Sequence, residues 1–177
     1  MRPDPPPPMD CQLEPNPSSM KRAALVLAVS LVVPASHARW DADLRVNGMT
    51  DERVGFAAER GSSGSLVAIQ CQQGAEMIVV FTLPVAEELR GRVTYRVDGE
   101  TADTIPGFTV DGGVGVLGPE AKELIPKLLR GSELKAQGHQ TRFGAPPTSV
   151  FTFGLSGSTA AFAEACSWHP DYDELAD

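Results

Sequence analysis

The stretch that decides the fold is Arg53-Val54-Gly55-Phe56-Ala57-Ala58-Glu59, followed by Gly61-Ser62-Ser63-Gly64 and then Leu66-Val67-Ala68-Ile69-Gln70-Cys71. Side chains alternate across a strand, so Val54, Phe56 and Ala58 are expected to face the core, with Arg53, Gly55, Ala57 and Glu59 opposite. The Gly/Ser cluster turns the chain, and Val67, Ile69 and Cys71 form the next inward row. Gln72-Gln73-Gly74 turns it again ahead of the row Met77, Val79, Phe81 and Leu83, and Pro84 ends that strand.

The same pattern continues outward. Val93, Tyr95 and Val97 make a row with Thr94, Arg96 and Asp98 opposite, before a turn at Asp98-Gly99, and Phe151, Phe153 and Leu155 make a late one. Two segments instead carry helical spacing. Pro119–Arg130 has proline at its first turn, Leu124, Ile125, Leu128 and Leu129 on one face, and Gly131 at its end. Pro126 inside it predicts a kink or two short turns. Ser158–Cys166 places Ala161, Phe162, Ala165 and Cys166 on one face, with Ser158 or Thr159 as its cap. The fold class is therefore mainly β, an antiparallel β-sandwich of about 7–8 short strands with two short helices.

The N-terminal part has a different composition. Five of the first eight residues are proline, four of them consecutive at positions 5–8, which unsuits residues 1–19 to any core. Met20-Lys21-Arg22, the apolar run 23–33, Pro34 and the small residues of Ala35-Ser36-His37-Ala38 then follow the three-part layout of a secretory signal peptide cut after Ala38. Residues 1–19 read as an upstream extension of a chain that starts at Met20, residues 20–38 as the signal peptide, 39–170 as one β-sandwich domain and 171–177 as a frayed acidic tail. No cysteine stands at the cut, so no lipid anchor is expected, and the apolar run is too short to span a membrane. The expected location is the periplasm.

The chain has 177 residues and a formal net charge of −8, and residues 39–177 keep 12 basic and 20 acidic side chains. That balance speaks against a nucleic-acid backbone as partner. Cys11 leaves with the leader, and Cys71 and Cys166 remain as a predicted disulfide in an oxidising compartment.

Motifs that would carry chemistry are sparse. Gly113-Val114-Gly115-Val116-Leu117-Gly118 fits G-x-G-x-x-G, with Glu133 20 residues beyond Gly113, but the dinucleotide fingerprint needs a parallel βαβ unit, and the segment reads as a turn between a strand and a helix. Gly154-Leu155-Ser156-Gly157-Ser158 misses the nucleophile-elbow spacing by one residue. His139 reads as a residue of a polar loop, and His169, before Pro170, as a surface histidine. His169, Asp171 and Asp173 lie close in sequence but on a tail, and Asp41 and Asp43 have no calcium-loop motif around them. No metal and no cofactor is expected. Arg96 and Asp98 share one strand face and form either an ion pair or a binding contact. Trp40 and Trp168 are read as core, Trp168 packing beside the disulfide.

Several pieces together resemble a known family. Trp40 with Met49-Thr50-Asp51, the strand Leu66-Val67-Ala68-Ile69-Gln70-Cys71, the strand Val93-Thr94-Tyr95-Arg96-Val97-Asp98, and the close Phe151-Thr152-Phe153-Gly154-Leu155-Ser156-Gly157 before Cys166-Ser167-Trp168 resemble the core domain of the type VI secretion-associated accessory proteins of the TagO/VasI kind. The likeness spans residues 40–168. In that family a cysteine-containing segment separates signal peptide and core, whereas here Trp40 follows the cut almost directly. The resemblance implies an envelope β-domain without catalytic residues and a protein partner in the cell envelope. The expected function is a non-enzymatic accessory or binding module linked to a secretion or envelope assembly. The alternatives are a small periplasmic hydrolase with a His–carboxylate site, and a soluble inhibitor or ligand carrier.

Overall fold

The computed structural model describes residues 39–83, 89–110, 112–140 and 147–177. The expected leader and signal peptide, the expected cut after Ala38, and Pro84 lie outside the described residues. The elements run β1 (Asp41–Val46), β2 (Arg53–Arg60), β3 (Leu66–Gln72), β4 (Ile78–Thr82), β5 (Leu89–Val97), β6 (Asp103–Pro106), β7 (Phe108–Val110), β8 (Gly113–Val116), α1 (Pro119–Arg130), β9 (Glu133–Gln140), β10 (Phe151–Gly154), α2 (Ser158–Cys166) and α3 (Tyr172–Ala176). They form two antiparallel sheets with sandwich-like packing, one ordered β1-β2-β3-β4-β8-β7 and the other β10-β9-β5-β6. The mainly β reading holds, with ten strands among the described residues where about 7–8 are expected from periodicity. The extra strands are those whose inward rows are weak. In β9 the row is Leu134, Ala136 and Gly138, and all three are buried although two of them barely register as apolar. β1 is an edge strand exposed over most of its length.

The rows of β3, β4, β5 and β10 face as expected, with Val67, Ile69, Cys71, Val79, Phe81, Val93 and Phe153 buried. β2 is the exception. Its buried residues are Gly55, Ala57 and Glu59, while Val54, Phe56 and Ala58 are only half-buried on the outer face. Hydrophobicity alone selects the larger side chains and so the wrong phase. The cause is the approach of α2. A Cβ on Gly55 would meet the Ala165 carbonyl oxygen and lie 2.7 Å from Cys71 Sγ, so position 55 has no room for a side chain. Outside, the Phe56 ring lies under the Arg45 guanidinium at 5.7 Å.

Cys71 pairs with Gly55 across β2 and β3 and is bonded to Cys166 at the end of α2, with a Cα–Cα distance of 5.9 Å. The bridge closes a 95-residue separation, for which chain entropy gives about 4–5 kcal/mol. Trp168 packs partly buried next to it, its Nε1 donating to the Ala165 carbonyl at 2.7 Å.

Both helices have the predicted bounds and buried faces. α1 runs as one helix through Pro126, whose ring is only half-buried, in place of the expected kink or pair of turns. Ser158 and Thr159 do not cap α2. Their hydroxyls donate to the Leu128 and Leu129 carbonyls at 3.0 and 2.8 Å, so the first turn of α2 satisfies the last carbonyls of α1. The C-terminal segment is not a frayed tail. Tyr172 of α3 stacks on Phe162 at 5.2 Å, Leu175 is buried, and Lys122 Nζ reaches Glu174 at 3.4 Å.

The chain changes sheets at Gly107, between β6 and β7. Its N–H donates to the Gly91 carbonyl at 2.6 Å, and a Cβ there would strike the Gly115 carbonyl. No helix among the described residues is long and apolar enough to cross a membrane.

Two stability effects follow. Replacing Cys166 with Ser should cost about 2–5 kcal/mol in urea unfolding, and reductant should bring the wild-type midpoint close to that of the variant. Gly55→Ala should cost about 1–3 kcal/mol with unchanged m-value, because its Cβ overpacks the β2–α2 contact.

Candidate functional site

The sequence marks Arg96 and Asp98 as neighbours on one strand face, and the backbone parts them. β5 ends at Val97, and Asp98 begins a turn with φ of 48°, followed by Gly99 at 79°. Two successive left-handed residues with the Glu100 N–H donating to the Val97 carbonyl at 2.9 Å form the Asp-Gly turn that this dipeptide favours. The Asp98 carboxylate turns toward the α1–β9 connection. It accepts the Ser132 N–H at 2.8 and 3.0 Å and the Glu133 N–H at 2.8 Å. Among the described residues no ion pair joins it to Arg96. Asp98 thus holds the start of β9 beside β5 and, with it, the register of the outer sheet face.

Arg96 stands on that face in different company. The register sets it opposite Lys135 of β9, and Thr94 opposite Gln137 of β9 and Thr104 of β6. Inward, the same strands bury Val93, Tyr95, Val97, Leu134, Ala136 and Ile105. Outward they present Arg92, Arg96, Lys135 and His139, with Thr94, Thr104 and Gln137 among them. Like charges directly opposite on a sheet repel. Lys135 is drawn toward Glu133 of its own strand at 2.9 Å, while no described ion pair engages Arg92 or Arg96. In a chain of net charge −8 this is a local reversal of sign.

Between Arg96 and Lys135 lies an open depression of about 170 Å³, bordered also by Thr94, Gln137, Ala102 and Val150. Val150 is 58% exposed and gives it an apolar rim. The volume is below the roughly 300–1,000 Å³ usual for a small-molecule pocket and suits one carboxylate-bearing side chain. Thr94 Oγ1 lies 2.7 Å from Thr104 Oγ1 and 2.8 Å from His139 Nε2, so a polar ladder crosses three strands beside the depression.

That ladder corrects the reading of His139, which sits on β9 and not in a loop. A hydroxyl against a histidine is the first half of a nucleophile–base pair. The second half, a carboxylate orienting the imidazole, is not among the hydrogen bonds of the described residues around His139. His169 is not on the surface. It is 4% exposed, its Nε2 lies 2.9 Å from the Ala75 carbonyl, and its Nδ1 accepts the Asp171 N–H at 3.2 Å. Both nitrogens thus tie the β3–β4 turn to the segment after α2.

The other motifs are absorbed by the fold. Gly113 to Val116 is strand β8, not a turn, and it pairs antiparallel with β4 and β7, so the parallel unit of a dinucleotide site is not formed around it. A Cβ on Gly115 would strike the Phe108 ring. Asp43 pairs with Arg45 at 2.7 Å, and no group of three or more His, Cys, Asp or Glu among the described residues has metal-binding geometry. Lys135, Arg92 and Thr104 carry no motif. The one available signal was the alternation of Glu133 to Gln140, whose polar row only a paired strand makes into a face.

No family model matches the chain, nor does any curated protein or solved structure. Asp98→Ala should lower the melting temperature by several degrees by removing the acceptor of two backbone N–H groups and straining a left-handed residue, whereas Asp98→Asn, which tolerates that conformation, should lose less. Thermal unfolding of the two variants side by side distinguishes them.

Proposed function

We propose that the domain is an exported, non-enzymatic binding module of the periplasm, which presents the outer face of the four-stranded sheet to a protein partner in the cell envelope. The observation that carries this reading is the cross-strand cationic pair, Arg96 opposite Lys135, beside an open depression with an apolar rim. Glu133 answers Lys135 at 2.9 Å, which leaves the Arg96 charge for an acidic partner residue to pair. The disulfide supports an oxidising compartment, and the signal-peptide layout supports export. The likeness to the type VI secretion-associated accessory proteins suggests that the partner belongs to a secretion or envelope assembly. Asp98 serves this face by setting the register behind it, and Arg96 is its contact residue.

The Thr94–His139 contact favours the hydrolase reading as the second possibility, since a hydroxyl and an imidazole lie within 2.8 Å. One experiment separates the two. Arg96→Ala and Lys135→Ala should abolish capture of envelope partners by the immobilised protein, with salt-sensitive binding in the wild type and melting temperatures within a few degrees of it. Unchanged capture would remove this face from the proposal. Hydrolysis of ester or peptidoglycan-fragment substrates that disappears with Thr94→Ala and His139→Ala would replace the binding module with an enzyme.

A further inference from the structure

The inner face of β2 carries one carboxylate among apolar neighbours. Glu59 is only 7% exposed, and among the described residues no side-chain cation forms an ion pair with it. Val67 of β3 stands opposite it, and the adjacent β1 brings Asp41, paired in register with Ala58. β10, which also approaches β2, brings no charge. Among the described residues the donor at the carboxylate is the backbone N–H of Arg39. Burial first, and the charge of Asp41 on the outer face second, push the Glu59 carboxyl above its ordinary range, while the Arg39 N–H pulls it back. A buried acid is a costly arrangement unless a cation joins it.

The position of the Arg39 nitrogen is well determined by its neighbour. Trp40 is buried, and its Nε1 donates to the Gly154 carbonyl of β10 at 2.9 Å. The chain is therefore anchored one residue after the bond that the signal-peptide layout marks for cutting. Before the cut, Arg39 offers Glu59 one amide hydrogen. Hydrolysis by an export endopeptidase breaks the Ala38–Arg39 peptide bond. Water supplies hydroxyl to the Ala38 carbonyl carbon and hydrogen to the Arg39 nitrogen, and the amine takes a further proton from solvent. The same nitrogen then carries three hydrogens and a positive charge.

We infer that Glu59 forms a built-in receptor for the α-ammonium group of Arg39, so that removal of the preceding segment completes an ion pair and locks the finished domain. The inference rests on the export reading above for the place of the cut. It adds a role for one buried acid and a chain terminus that lie away from the cationic face.

The test compares residues 39–177, released from a cleavable fusion so that Arg39 is the true terminus, with the same chain keeping Ala38. Both lie within the compact unit Pro34–Asp177, which holds the hydrophobic core. At pH 7 and low salt the Arg39-start form should melt about 3 °C higher, equivalent to about 1 kcal/mol at this chain length. The difference should fade as pH falls and Glu59 takes up a proton, and above about pH 9, where the amine is neutral. Glu59→Gln supplies the second arm. In the Ala38-bearing form it removes an acid whose carboxyl is held above its ordinary range. Such a group costs stability as pH rises past that ordinary value, so the variant should gain stability at pH 7. In the Arg39-start form it breaks the ion pair, so the gain should vanish or reverse. Should Glu59→Gln fail to fold, loss of the difference between the two wild-type starts as falling pH protonates Glu59 makes the same comparison. Equal melting temperatures for the two starts, or a difference that survives Glu59→Gln, would overturn the receptor. N-terminal sequencing of the exported protein is a separate readout. A start other than Arg39 would remove the export cut while leaving the outcome of the melting comparison to decide whether Glu59 binds an α-ammonium.

Discussion

The contact between α2 and β2 is the constraint on which the rest of the domain depends. Gly55, Cys71, Ala165 and Cys166 meet at one point, and a single added methyl at position 55 would collide with both the helix backbone and a disulfide sulfur. Because the helix comes this close, position 55 has to be glycine, which sets the phase of β2 with Gly55, Ala57 and Glu59 inward and Val54, Phe56 and Ala58 outward. Because Cys166 is covalently held, α2 stays where its first-turn hydroxyls reach the final carbonyls of α1. α3 then packs Tyr172 on Phe162, and His169 spans from the segment behind α2 to the β3–β4 turn. A C-terminal segment that would fray alone becomes part of the core through one bridge and its immediate neighbours.

The second sheet is organised by hydrogen bonds at its ends. The crossover at Gly107 lets the chain pass between sheets where backbones touch and leave no room for a Cβ. At the other end Asp98 fixes β9 against β5 by accepting two backbone N–H groups, those of Ser132 and Glu133. With both ends held, the register of Arg96 against Lys135 cannot slip by one residue without turning Val93, Tyr95 and Leu134 out to solvent. The outer face therefore stays rigid, and a cationic pair on it keeps its spacing. That rigidity is what a recognition surface requires, since little ordering cost remains to be met at the moment of binding.

Much of this was legible from residue order. Rows of large apolar residues at period two located β3, β4, β5 and β10, and the proline and glycine that bracket Pro119–Arg130 marked α1 with its buried face. Cys71 and Cys166 paired as expected. Arg96 could be picked out because it lies in a strand whose inward row is unmistakable. Lys135 and Thr104 could not, since their strands carry Ala136 and Gly138 or a short four-residue run where a signal should be. His169 was misplaced because the proline after it suggested a loop, while its burial comes from the Ala75 carbonyl, 94 residues away.

The amino-acid sequence by itself determined the antiparallel β class, the bounds of α1 and α2 and the cysteine pair, because alternation, helical spacing with its bracketing residues, and composition can be read without knowing the tertiary contacts. Only the tertiary structure decided the phase of β2, the partition of Asp98 from Arg96 and the burial of Glu59 beside Arg39. Each of those depends on which distant backbone comes into contact, and excluded volume can then override local hydrophobicity, as it does where Ala165 leaves Gly55 no space for a side chain.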